Sequence, residues 1–391
     1  MKKLRLKKGQ ERRILDGSLW VFSNQVDELL RNYGPGELVR IMDRGGEFLG
    51  IGYVNPQSLI AARILTREDR EINADFFHRR FAAARALRQR VLPEEEAVRE
   101  IYSESDGLPG LVVDRYRDVL VVQITTAGME RQKELIVSCL KDFYKPEAIF
   151  ERSDVAVRKL EGLGDATGTL YGKLPSKPIP VVYSSLLIPV DVSKGQKTGL
   201  YLDQRMNLQF IEDIAHGARV LDAFCYTGIW ALKAARFRAA EVILLDDSEW
   251  ALEIAMHTAR RCRLGGRMEA IRGDAFNVMK KMIKDQEKFD VIILDPPSFI
   301  KSKQQFQRGY RGYFDINQRA LNLLNDGGFL VTCTCSHHMD WDSFADVISG
   351  TLKAAGRQGR VIFKGRQGPD HPVLQAMPET EYLRCVVLQV N

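Results

Sequence analysis

RVLDAFCYTGIWALKAARFRAAEVILLD, residues 219–246, holds two apolar, β-branched runs separated by one helical pattern. Residues 219–224 read as a buried strand, Gly228 to Ala235 as a helix and residues 241–246 as a second strand. A second helix over Ala251 to Arg261 and further strands at 268–272, 289–294 and 328–334 continue the alternation. Strand–helix alternation on this scale predicts an α/β domain with a doubly wound parallel sheet from about residue 190 onward. Such sheets bind ligands where their strands end. The first strand ends in the turn Asp222 to Gly228, in which one glycine lets backbone approach a ligand. The turn lacks the GxGxxG pattern that cradles a dinucleotide pyrophosphate, which leaves a cofactor without phosphate, such as S-adenosylmethionine. Asp246, ending the second strand, is placed to accept hydrogen bonds from ribose hydroxyls, and Asp274 to lie beside an adenine. Each acid alone reads equally well as a helix cap or turn acid. Three of them in order at successive strand ends point to a cofactor.

Two later strands end on reactive groups. Asp295-Pro296-Pro297-Ser298-Phe299 follows the 289–294 run, and Thr334-Cys335-Ser336 follows the 328–334 run. Two prolines after an aspartate give a rigid, extended turn with free carbonyls, against which a flat nitrogen-bearing ring can lie. A lone cysteine is more often a small buried hydrophobe than a nucleophile, but its place at a strand's carboxyl end favours the nucleophile for Cys335. Cys333 shares its face if the strand runs through both, and reads as core packing, as does Cys225. His337 and His338 read as solvated turn residues. Lys301, Lys303, Arg308, Tyr310, Arg311 and Tyr313 interleave cations and aromatics in a polar stretch suited to holding phosphates and stacking bases.

The 391-residue chain exceeds one ordinary core. Residues 1–72 carry short strand-like runs separated by Gly- and Pro-bearing turns, the pattern of a small β-barrel. Residues 73–90, with Asn73 as N-cap, read as an arginine-rich helix basic on its solvated side, and 98–190 as an α+β unit. The domain bounds expected are 1–72, 73–189 (linker helix and central domain) and 190–391. Six cysteines without paired CxxC spacing argue against a disulfide framework and a zinc site, so no metal is expected. No apolar run spans a bilayer, and the basic start Met1 to Lys8 is followed by no apolar stretch, so a cytoplasmic protein is expected. A net charge of +6 fits a polyanionic partner without establishing one.

The segments Lys197 to Arg205, DAFCYTG (222–228), DPPSF (295–299), Arg311 to Asn317 and TCS (334–336) resemble the bacterial PUA-domain-containing methyltransferases that make 5-methylcytosine in 23S ribosomal RNA. The resemblance covers nearly the whole chain. Trp20 to Ser23 and onward looks like the family's PUA domain, and residues 104–110 and 152–158 resemble its central domain. It implies a Rossmann-like class I S-adenosylmethionine domain behind the two amino-terminal domains, with Cys335 as nucleophile and Asp295 contacting the base. Cofactor contacts would come from Gln204, Arg205, Asp222, Phe224, Tyr226, Thr227, Gly228, Asp246, Asp274 and Asp295. RNA contacts would come from Lys301, Lys303, Arg308, Arg311 and Tyr313. Two positions depart from the family pattern: Ser298, where lysine is common, and His337, where glycine follows the cysteine-serine pair. The partner implied is 23S ribosomal RNA, free or partly assembled, with no membrane; a homodimer is left open. Two rival readings stand beside it: methylation of a base nitrogen, with Cys335 structural, and a ribosome-assembly RNA-binding protein with vestigial cofactor binding.

Overall fold

In a computed structural model, which describes residues 1–195 and 197–391, the alternation read from residue 219 onward builds one seven-stranded sheet. Its strands are β1 (Arg219–Ala223), β2 (Glu241–Asp246), β3 (Met268–Arg272), β4 (Phe289–Leu294), β5 (Leu324–Thr334), β6 (Gly359–Arg366) and β7 (Arg384–Val390). The spatial order is β3-β2-β1-β4-β5-β7-β6. Strands β1 to β5 are parallel, and β7 lies antiparallel between β5 and β6. The order reverses between β1 and β4, and a crevice at the carboxyl ends of those strands is where a doubly wound sheet takes its ligand. Helices α1 (Ile229–Arg236), α2 (Glu249–Arg261), α3 (Ala275–Lys284), α4 (Phe306–Leu323) and α5 (Trp341–Ala354) connect the strands. Strands β1, β2 and β4 are buried along almost their whole length, which is why they read as unbroken apolar runs rather than alternating ones.

One element departs from the sequence reading. The polar stretch after the Asp-Pro-Pro turn becomes α-helical at Phe306, where α4 begins, so Arg308, Tyr310, Arg311 and Tyr313 lie on a helix while Lys301 and Lys303 precede it. Phe306, Tyr310, Tyr313, Ile316, Ala320 and Leu321 recur at helical spacing, and burying that stripe outweighs the charges interleaved with it.

The chain divides into two compact units. The seven-stranded sheet belongs to the unit formed by 182–189, 203–368 and 381–391; the other comprises 1–181, 190–202 and 369–380. That other unit holds two five-stranded sheets. One orders Lys2–Arg5, Glu37–Met42, Phe48–Val54, Ala62–Thr66 and Trp20–Val21; the other orders Ala166–Gly172, Ala148–Ser153, Val119–Ile124, Leu111–Tyr116 and Ala97–Tyr102. The helix Ala74–Val91 is capped by Asn73, whose side chain accepts from the Phe76 N–H, and it buries Phe76, Phe77, Phe81 and Ala84. Its arginines are not all solvated: Arg88 is buried and pairs with both oxygens of Asp106 at 2.6 and 2.7 Å. Arg88 also donates to the carbonyls of Arg99 and Asp370. A guanidinium with that many acceptors can leave water. Among the described residues, no helix is long and apolar enough to cross a membrane.

Candidate active site

The turn after β1 is built on left-handed backbone. Phe224, Tyr226 and Gly228 have φ of +64°, +50° and +72°. The Phe224 and Cys225 N–H groups both donate to the Leu245 carbonyl of β2, at 2.9 and 3.2 Å, which ties the turn to the neighbouring strand. Asp222 lies fully buried beneath it. Its Oδ2 accepts the Ala231 N–H of α1 at 3.0 Å, while Oδ1 has no hydrogen-bond partner among the described residues. Burial pushes this carboxyl well above the usual carboxylate range, and Asp295 and Asp246 add repulsion. Asp246, ending β2, accepts the Tyr226 N–H at 2.8 Å and the Ser248 N–H at 2.9 Å. Its carboxyl is raised too, chiefly by burial. Asp274 is exposed and caps α3 through the Asn277 N–H, so the cap reading of this residue is real and leaves its outer side accessible. Thr227 is buried beside Gly228, where a Cβ would meet Leu244 at 2.7 Å and Ala255 at 2.9 Å.

Asp295, at the end of β4, is the centre of a second network. Its Oδ1 accepts from the Gln204 amide at 2.9 Å and its Oδ2 from the Trp230 indole at 3.1 Å. The Gln204 oxygen in turn accepts from Asn207 at 2.7 Å. Donors on both oxygens fix the carboxyl's plane. Gln204 therefore touches the Asp295 side of the crevice, whereas Arg205 is buried with its guanidinium 4.5 Å from the centre of the Tyr183 ring. Trp230 and Asn207 escaped the sequence reading; an indole in the first turn of an apolar helix reads as core.

Strand β5 ends at Thr334 and releases Cys335, whose half-buried Sγ lies 3.9 Å from the Pro296 carbonyl. The candidate nucleophile and the Asp-Pro-Pro turn thus meet. Cys333 is fully buried and faces Cys385 across the β5–β7 ladder, and burial pushes its thiol well up, which keeps it neutral. Cys225 is likewise buried with a raised thiol.

Ser336 joins three elements. Its Oγ lies 2.9 Å from the Ser298 Oγ and 2.8 Å from the Tyr313 hydroxyl, and it accepts the Ile300 N–H at 3.3 Å. Ser298, in the Asp-Pro-Pro turn, is one leg of this tripod. Tyr313 must be corrected: it is fully buried, and burial with the nearby Cys335 pushes its hydroxyl up to about 12. It braces the strand end and has no face to offer a base. Lys301, Lys303, Arg308 and Arg311 are exposed on the segment leading into α4 and along its solvated side, and His337 and His338 are exposed after β5.

A model of S-adenosylmethionine-dependent methyltransferases matches residues 163–351, and a model of PUA-like domains matches residues 4–67. Ribosomal RNA large subunit methyltransferase I of Serratia proteamaculans is 39% identical over 99% of this chain and 99% of its own. The protein of the same name from Photobacterium profundum is 40% identical over 97% of each chain. Among solved structures, a putative methyltransferase complexed with SAH superposes with a TM-score of 0.88 at 19% identity, covering 100% of both chains. A putative SAM-dependent methyltransferase from Streptococcus mutans does so with a TM-score of 0.86 at 19% identity.

Proposed function

The chain belongs to the ribosomal RNA large subunit methyltransferase I family, and from that premise we propose that it methylates C5 of a cytosine in 23S ribosomal RNA, with Cys335 as the nucleophile. The observation that carries this reading is the approach of the Cys335 Sγ to the Pro296 carbonyl, beside an Asp295 held by two donors. The family's S-adenosylmethionine fits the acceptors around β1 and β2: Asp222 Oδ1 is buried without a hydrogen-bond partner among the described residues, and Asp246 is half-exposed. Asp222, Phe224, Tyr226, Thr227, Gly228, Asp246, Asp274, Gln204 and Asp295 would hold it. When bound it supplies an electrophilic methyl group on a sulfonium.

Cytosine C5 is a poor carbon nucleophile until a thiolate adds at C6. Addition of the Cys335 thiolate forms the S–C6 bond and moves the ring's electron pair toward C5 and N3. The Asp295 carboxylate, already an acceptor on both oxygens, is suited to accept an N–H from the exocyclic amine and so to orient the ring. Once C5 carries the methyl group, a base from solvent takes the C5 proton, the C5–H electron pair re-forms the C5=C6 bond, and the S–C6 bond breaks to release the Cys335 thiolate. Ser336, with Ser298 and Tyr313, holds the segment that presents Cys335. The proposed division of labour follows the segments 1–72, 73–189 and 190–391. The first docks RNA and the last performs transfer, with Lys301, Lys303, Arg308 and Arg311 as phosphate contacts that position without reading sequence.

RNA carrying 5-fluorocytosine at the target tests the covalent step, because fluorine does not leave as a proton. The parent protein with S-adenosylmethionine should form a stable adduct with that RNA. Cys335→Ala should lose both adduct and turnover, and Cys333→Ala should keep the adduct. Methylation at near-parent rate in Cys335→Ala would remove the nucleophile and favour transfer to a base nitrogen.

A further inference from the structure

Arg384 opens β7 directly opposite Thr334, the last residue of β5 and the neighbour of Cys335. Only 6% of it is exposed, its Nε has no hydrogen-bond partner among the described residues, and its Nη1 reaches the Tyr382 carbonyl at 3.5 Å, the outer limit of a hydrogen bond. No carboxylate lies within ion-pair distance of it among the described residues; Asp340 and Glu381 act on it from farther off. Across the other ladder its partner is Arg366, which is exposed. Like charges directly opposite on neighbouring strands repel. A third cation completes the cluster. Lys364, also exposed, and Arg384 lie 5.8 and 5.9 Å from the centre of the half-buried Trp341 ring, at the start of α5. The cost of a desolvated, unpaired guanidinium and of a like-charge strand pair falls when an anion sits among them.

We propose that Arg384, Arg366 and Lys364, with Trp341, form a phosphodiester-binding subsite at the carboxyl end of β5 that holds the RNA backbone beside the nucleotide presented to Cys335. The indole offers a flat face for an adjacent base, and the guanidinium is the group that pairs best with phosphate oxygens. The inference rests on the RNA reading above. These side chains grip the chain of the substrate and take no part in bond-making.

The test measures binding of deproteinised 23S ribosomal RNA as a function of salt, together with steady-state methylation, for the parent, Arg384→Gln, Arg384→Lys and Lys364→Gln. Arg384→Gln should raise the KM for RNA about 5–20-fold with kcat within about twofold, and should flatten the slope of log K against log salt by about 0.7–0.9, one phosphate's share. Arg384→Lys keeps the charge and should keep the slope. S-adenosylmethionine affinity by calorimetry should stay at the parent value in every variant, which reports an intact fold. If Arg384→Gln loses cofactor affinity as well, exposed Lys364→Gln decides in its place, with the same flattening expected. Salt slopes equal to the parent's in the folded variants would overturn the subsite while leaving the methylation reading untouched. A parent that neither binds nor methylates RNA would overturn that reading instead.

Discussion

Asp222 is a fully buried carboxyl with one N–H donor and two acidic neighbours. Its folded-state pKa is raised, foremost by burial, so between the unfolded and folded values the folded chain holds the extra proton. Stability from this residue therefore declines as pH rises through that window, and the cost is complete above it. Asp222→Asn removes the charge and keeps an oxygen for the Ala231 N–H. Thermal unfolding without cofactor should show the variant gaining on the parent as pH rises from acid to 8, while calorimetry shows weaker S-adenosylmethionine binding. A difference that moves the opposite way with pH would mean that the carboxyl is not desolvated as described. The place of Asp222 beside the first strand-to-helix turn was legible in the sequence because the apolar run of β1 stops there. The identity of its neighbour Asp295 was legible only as a second strand end, since nothing local says that β1 and β4 are adjacent.

At the scale of elements, the β1–α1 turn stores the tightest constraint. Gly228 combines a left-handed φ of +72° with Leu244 and Ala255 against the place a Cβ would occupy. Gly228→Ala should cost about 1–3 kcal/mol in urea unfolding, from backbone strain and overpacking together. A loss below a few tenths of a kcal/mol would show that the turn relaxes freely. Helix α4 teaches a different lesson. Its apolar stripe was present in the sequence, but cations spaced between Lys301 and Arg311 made the segment read as a polar stretch for holding phosphates and stacking bases. What distinguishes a charged loop from an amphipathic helix is the surface the helix buries, here the β4–β5 face, and that surface is assembled from other strands.

At the scale of the whole molecule, segments far apart in sequence are joined by buried charge. Arg88 links the long helix to Asp106 and to Asp370, 282 residues away, all within one compact unit. Arg88→Ala strands the Asp106 carboxylate and should destabilise by about 3–5 kcal/mol, whereas exposed Arg90→Ala should stay within about 0.5 kcal/mol. Equal unfolding midpoints for the two variants would remove the network. The sequence by itself determined the strand–helix alternation, the acids at successive strand ends and the cysteine after β5, because those signals are periodicities and turns within a few residues of one another. Which arginine meets water and which is buried, why Tyr313 braces a strand instead of facing a ligand, and how Arg384 comes to stand beside Thr334 were decided only by tertiary structure. Burial of a charged or aromatic side chain depends on partners that distant strands deliver, and no local pattern encodes their arrival.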